Sequence, residues 1–162
     1  MTLEKILLTA LFTLLPIFEL RGGIPIALAN GMSYLLAYTF CVGINCLIAP
    51  FLFIFFNTLH KILIKWKAYN TLFEKIVERA RHKVKAKVDK YGYFGLALFV
   101  AIPLPITGAY TGALGAWILG MDKKKSIIVI TIGVIIAGII VTLAMVVGIK
   151  ILKIFYQQTP QP

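Results

Sequence analysis

Read from its start, the chain sets long apolar runs between short polar interruptions. The first apolar region, Thr2–Asn30, is about 29 residues long, and Glu19, Arg21, Gly22, Gly23 and Pro25 break it inside the stretch LPIFELRGGIPIALANGM, Leu15–Met32. One spanning helix takes about 20 residues and two take about 40. The length therefore predicts a helix–break–helix hairpin that enters a bilayer and leaves on the same side, a backbone tolerated at that depth only where protein or a water-filled cavity covers it. The pattern puts the break at Phe18–Ile24, Pro25 in the first turn of the returning half-helix, and a stop at Asn30-Gly31. Ser33–Phe56 is a continuous run of spanning length with Gly43 and Asn45 near its middle and Pro50 as a candidate kink. In Asn57–Tyr91 the period changes. Leu59, Ile62, Leu63, Trp66, Tyr69, Phe73, Ile76, Val77, Ala80, Val84 and Val88 recur every three or four residues, and basic residues fill most of the other face. That is a basic amphipathic helix, lying either on an anionic leaflet or on the protein's own membrane face. Gly92–Gly120 repeats the length of the first hairpin with its break at Pro103–Gly108. Asp122–Lys125 is a polar stop, Ser126–Ile149 a second full span, and residues 157–162 a disordered polar tail.

The first hairpin has an echo 89 positions later, in LPITGAYTGALGAWILGM, Leu104–Met121. In that register Leu15/Leu104, Pro16/Pro105, Ile17/Ile106, Gly23/Gly112, Ala27/Ala116, Gly31/Gly120 and Met32/Met121 are identical. Both copies read hairpin, short turn, full span. Because the first copy contains one true crossing, the second enters from the opposite side. The expected fold is an all-α polytopic membrane protein: an inverted repeat of two re-entrant hairpins, each followed by a full transmembrane helix, joined by a basic amphipathic helix. Folds of this kind place a binding site at the midplane, between broken helices. One membrane domain covers residues 1–156, with repeat one at 2–56, the linker at 57–91 and repeat two at 92–149.

Composition sharpens this picture. At 162 residues, 60% hydrophobic and mean hydropathy +0.91, the chain reads as an integral membrane protein with no room for a separate globular domain. The net charge of +11 raises nucleic acid as a partner. However, ten of the Lys/Arg fall in Lys61–Lys90 and three more in Lys123–Lys125, with no basic module bearing stacking aromatics. Under the positive-inside rule the clusters mark the cytoplasmic face of an inner cell membrane, leaving both termini outside. Lys5, the following apolar run and Ala27-Leu28-Ala29 imitate a secretory signal, but Glu19 and Arg21 interrupt the run. Cys41 and Cys46 have no His or carboxylate at ligand spacing, so they read as small apolar-phase residues and no metal or cofactor is expected. The stripe Gly108, Gly112, Ala116, Gly120, continued by Gly23, Ala27 and Gly31, reads as close helix packing and is compatible with a homodimer.

The elements FELRGGIPIA and PLPITGAYTGALGA, with the patterns E-x-R-G-G-x-P and P-x-T-G-x-Y-T-G, resemble the small multidrug export protein family of bacterial and archaeal membrane proteins. That family is related to the DedA/VTT superfamily. The resemblance runs from about Leu15 to Ile149. It implies two re-entrant hairpins in inverted repeat and a role in membrane transport. DedA relatives are linked to moving polyprenyl-phosphate lipid carriers and to dependence on the proton-motive force. They typically bring arginines into the second hairpin, whereas Pro103–Gly115 here holds none and Arg21 is the intramembrane basic residue.

Charges inside a bilayer are costly and mark functional sites. A carboxylate there titrates under the opposed pulls of desolvation and nearby cations, which makes Glu19 the candidate for ion coupling. Its alternative role is a static pair with Arg21. Arg21 is a candidate for holding an anionic group, aided by the N-terminal end of the half-helix near Pro25. Gly22, Gly23, Pro105 and Gly108 shape the two breaks; Asn45, Thr107, Tyr110 and Thr111 offer amide and hydroxyl groups to the same cavity or make interhelical hydrogen bonds. His60 reads as interfacial. An intramembrane protease needs a Ser–His pair or two aspartates in the bilayer; Ser126 is not placed near His60 or His82, so no enzyme is expected. The working expectation is a proton- or ion-coupled transporter of an amphipathic or lipid-like substrate. Protonation of Glu19 releases Arg21 to hold an anion, and the repeats rock around the site. The alternative is an uncoupled lipid scramblase or a structural membrane protein.

Overall fold

The structure is a computed structural model and describes residues 2–63, 67–104 and 107–158. Among the described residues every regular element is a helix. α1 (Leu3–Leu14) is an apolar helix whose two buried polar side chains, Thr9 and Thr13, donate to the carbonyls of Lys5 and Thr9 one turn back. Their hydroxyls are thus satisfied without water. The helix stops at Leu15, which is extended (φ −71°, ψ 128°), as a residue before proline prefers to be. Pro16 therefore sets the first break, at residues 15–18.

α2 (Glu19–Ala29) returns against α1. This corrects the expected position of the break. Gly22 and Gly23 lie inside α2, and Pro25 is its seventh residue, where its missing N–H leaves the Arg21 carbonyl without a helical partner. The glycines serve packing: a Cβ on Gly23 would collide with the Thr13 hydroxyl, so the two limbs touch here only because position 23 has no side chain.

α3 (Tyr34–Cys46) and α4 (Ile48–Asn57) form one apolar stretch of 24 residues bent at Leu47. Pro50 accounts for the bend, because it cannot donate to the Cys46 carbonyl. α5 (Leu59–Leu63) follows, and α6 (Lys67–Ala101) carries the amphipathic linker and the first limb of the second hairpin on either side of a kink at Gly92 (φ 55°). Val84 is fully buried, and a Cβ on Gly115 would strike it, so this part of α6 packs on the protein's own face. Other predicted apolar positions of the linker, among them Trp66, Tyr69 and Ile76, lie outside the residues whose side chains are described. After the second break, described at residues 102–104 and 107–108, come α7 (Ala109–Ile118) and α8 (Lys123–Gln158). Of the predicted tail, residues 159–162 lie outside the described residues.

The echo in the sequence is an echo in hydrogen bonds. α2 ends with Gly31 N–H donating to Leu28 O and Met32 N–H to Ala27 O; α7 ends with Gly120 N–H donating to Trp117 O and Met121 N–H to Ala116 O. Gly31 (φ 88°) and Gly120 (φ 66°) take the left-handed conformation this helix end requires. Ser33 Oγ then accepts from Leu36 N–H, and Asp122 Oδ1 accepts from Lys125 N–H, capping α3 and α8. Each partner is 89 positions from its counterpart.

The core runs between the two helix pairs: Ile24, Leu96, Val100, Ile130 and Val134 are fully or almost fully buried, cushioned by Ala27, Ala109, Ala113 and Ala116. The outside is equally apolar. Leu3, Ile17, Leu35 and Phe94 are at least 70% exposed, and large apolar side chains stand exposed along α1, α3, α4 and α8. Only 39% and 33% of the apolar windows of Tyr34–Asn57 and Lys123–Lys150 are buried within the molecule. A surface this greasy needs a hydrocarbon solvent.

Candidate functional site

The two breaks meet. In the second, Thr107 organises the chain: its hydroxyl donates toward the carbonyls of Ile102 (2.7 Å) and Leu104 (2.8 Å) and accepts from Leu104 N–H (3.1 Å). Gly108 follows in a conformation (φ 144°, ψ −168°) that side-chain-bearing residues rarely adopt. α7 starts there without a cap from its own side chains. The cap comes from the first hairpin. Glu19 Oε2 accepts from Ala109 N–H and Oε1 from Tyr110 N–H, both at 3.3 Å. A buried carboxylate thus sits at a helix N-terminus, where free N–H groups and the helix dipole favour negative charge. A Cβ on Gly108 would occupy the space of that carboxylate, so the glycine is needed twice over.

Arg21 also crosses between hairpins, its Nη2 donating to Thr107 O at 3.0 Å. Tyr110 returns the gesture, its hydroxyl donating to Leu14 O at the first break. Positions 21 and 110 are equivalent in the repeat register, so each hairpin ties its partner's break by a side chain from the same place. The hydrogen bonds of Glu19 and Arg21 both run to the second hairpin. Asn45 Nδ2 donates to Thr13 O at 3.3 Å, bringing α3 to the end of α1.

A narrow pocket with about 10 Å³ of space runs among these groups, lined by Glu19, Arg21, Asn45, Thr107, Gly108 and Val134, among others. A separate, larger apolar cavity of about 390 Å³ is lined by Leu14, Leu47, Ile48, Phe51 and Tyr110. Tyr110 is therefore shared: its N–H holds the Glu19 carboxylate while its side of α7 walls the apolar cavity.

Of the residues singled out from sequence, Glu19, Arg21, Asn45, Thr107, Gly108 and Tyr110 gather here. Gly22 and Gly23 belong to packing against Phe18 and Thr13. Thr111 lies half-buried on α7 and lines neither cavity, and Pro105 lies outside the described residues. Thr13 was not anticipated, although Thr9 and Thr13 at spacing four in an apolar helix are a signal for buried polar contacts. No group of three or more His, Cys, Asp or Glu suited to a metal occurs among the described residues.

An apolar-surfaced helical bundle with two helices long and apolar enough to span a bilayer indicates a membrane protein. The family model described as "Putative small multi-drug export protein" matches residues 19–140, from the tip carboxylate of the first hairpin into α8. The chain belongs to that family. Its members' description as export proteins points to a transporter rather than an enzyme. No curated protein and no solved structure is significantly similar to the chain.

Proposed function

We propose that this export-family protein is a coupled carrier in the inner membrane, with its substrate site where the two helix breaks meet. The observation that carries the reading is the Glu19 carboxylate, buried and held across the repeat boundary by the N–H groups of Ala109 and Tyr110. In this reading α1–α2 and the 93–101 limb with α7 are re-entrant hairpins in inverted repeat, an arrangement supported by the 89-residue echo of the sequence. The 57–91 linker is cytoplasmic, the termini lie outside, and two copies can form a homodimer. Protonation removes the charge that favours Glu19 at the α7 N-terminus. The joint then loosens, Arg21 becomes available to an anionic or polar head, and the two repeats rock apart. The 390 Å³ apolar cavity beside Tyr110 accommodates the hydrophobic part of an amphipathic or lipid-like substrate.

The alternative, a structural membrane protein or an uncoupled scramblase, has two observations in its favour: the pocket at Glu19 is narrow and the cross-ties are closed. Thermal stabilisation of the purified protein across pH separates the two. The panel is polyprenyl phosphate, simple anions and lipophilic cations, with wild type compared to Glu19→Gln. Bound ligand raises apparent stability with its saturation. Stabilisation whose pH dependence disappears in Glu19→Gln supports a coupled carrier. A mutant that melts differently with no ligand effect in either protein supports a structural role. Lipophilic cations stabilising where anions do not would move the substrate class toward cationic drugs.

A further inference from the structure

One buried side-chain atom lining the site makes no hydrogen bond among the described residues. Asn45 is 1% exposed, and its amide nitrogen is committed to Thr13 O, which fixes the orientation of the side chain. Its Oδ1 is fully buried and makes no hydrogen bond among the described residues. An unpaired buried acceptor costs about 1–3 kcal/mol, and buried polar atoms that protein does not satisfy are commonly met by an internal water. Asn45 lines the narrow pocket together with Glu19 and Arg21, and the space there, about 10 Å³, is close to the minimum that one water requires.

The neighbours decide what the pocket can take. An anion would face both the Glu19 carboxylate and Asn45 Oδ1. A metal cation would share the space with the Arg21 guanidinium and find few free oxygens, where hard cations take about six. An apolar group would leave Oδ1 unpaired. Water alone meets every demand, donating to Oδ1 and to the carboxylate while its oxygen faces the Arg21 donors. We propose that a single water molecule binds between Asn45 Oδ1 and the Glu19 carboxylate, and that Asn45 is the positioning residue that holds it. The repeat makes this a one-sided device, because the position equivalent to Asn45 is Val134, which lines the same pocket without a polar atom. The significance of the water for coupling rests on the carrier reading of Glu19; its presence does not.

The test is infrared spectroscopy of the full chain in lipid nanodiscs, with H2¹⁶O exchanged for H2¹⁸O, on wild type, Asn45→Val and Glu19→Gln. The expected result is an isotope-sensitive internal-water band in wild type that is lost in Asn45→Val and shifted in Glu19→Gln. A wild type without such a band, or a band unchanged in Asn45→Val, overturns the proposal. Should Asn45→Val fail to fold, a wild-type structure at water-resolving resolution decides. A water within hydrogen-bonding distance of both Asn45 Oδ1 and Glu19 supports the proposal, and a dry pocket or a coordinated ion there overturns it. Water present in a protein that does not transport would defeat the carrier reading alone. Coupled transport with a dry pocket would defeat this inference alone.

Discussion

The carboxylate of Glu19 rests in the space that Gly108 leaves by having no side chain. The two residues are 89 positions apart, at the same place in the two repeats, each opening or preceding the returning limb of its hairpin and each with positive φ (46° and 144°). Where two copies of one pattern meet tip to tip, equivalent residues face each other, and here one is charged and the other empty. That asymmetry lets a single carboxylate cap the opposing helix.

Gly108→Ala should therefore be damaging for two separable reasons, an unfavourable φ and a clash with the Glu19 carboxylate. We expect a loss of at least about 2 kcal/mol in thermal or denaturant unfolding. In a Glu19→Ala background the clash is gone and the φ strain remains. The added cost of Gly108→Ala should then fall by about 1 kcal/mol or more, a coupling a double-mutant cycle measures directly.

Arg21→Gln should lose the charge-assisted bond to Thr107 O, lowering stability by about 1–2 kcal/mol, with Arg21→Lys retaining part of it. Because Glu19 and Arg21 tie the same two segments, Glu19→Gln combined with Arg21→Gln should cost less than the sum of the single changes. Strict additivity in unfolding experiments would show that the two ties act independently.

Two glycines with similar sequence surroundings should behave oppositely. Gly23→Ala forces a methyl into the Thr13 hydroxyl at the α1–α2 contact and should cost about 1–3 kcal/mol. Gly43→Ala meets nothing within 4 Å, lies exposed on α3, and should be neutral or stabilising by up to about 1 kcal/mol. Melting temperatures of the two variants in the same detergent check the contrast.

His60 lies outside the spanning segments, buried among Phe56, Phe73 and Trp117, with ring centroids 6.3, 4.2 and 5.3 Å away. That burial pushes the imidazole below its ordinary value. The folded chain then binds fewer protons than the unfolded one in the window between the folded value and about 6.5. Stability from this residue is complete above that window and is lost as pH falls through it. His60→Phe should flatten the acid side of the melting profile while leaving neutral pH nearly unchanged.

Much of this was legible in the sequence, and the failures have physical causes. The length of the apolar regions, the kink at Pro50, the boundary between linker and second hairpin at Gly92 and a second break starting near Pro103 follow from local rules about proline, glycine and span length. The first break was misplaced because Gly22-Gly23 resembles a helix breaker; in the fold, Pro16 ends the helix and the glycines serve a close approach to Thr13. Glu19 and Arg21 stand out as charges within an apolar run, but their hydrogen-bond partners in the second hairpin are visible only in the folded chain. The 89-residue register did contain a clue, since it aligns Glu19 with Gly108 and Arg21 with Tyr110. Nothing in a linear pattern says that a repeat's tip will cap its counterpart.

The most direct test of Glu19 as the coupling residue is transport in proteoliposomes under an imposed pH gradient, using a fluorescent amphiphile and comparing wild type with Glu19→Gln. Glu19→Gln mimics the protonated carboxyl and cannot cycle. Gradient-driven accumulation is expected in wild type and lost in Glu19→Gln, with any passive exchange retained. Equal gradient-driven accumulation by the two proteins would contradict a coupling role for Glu19.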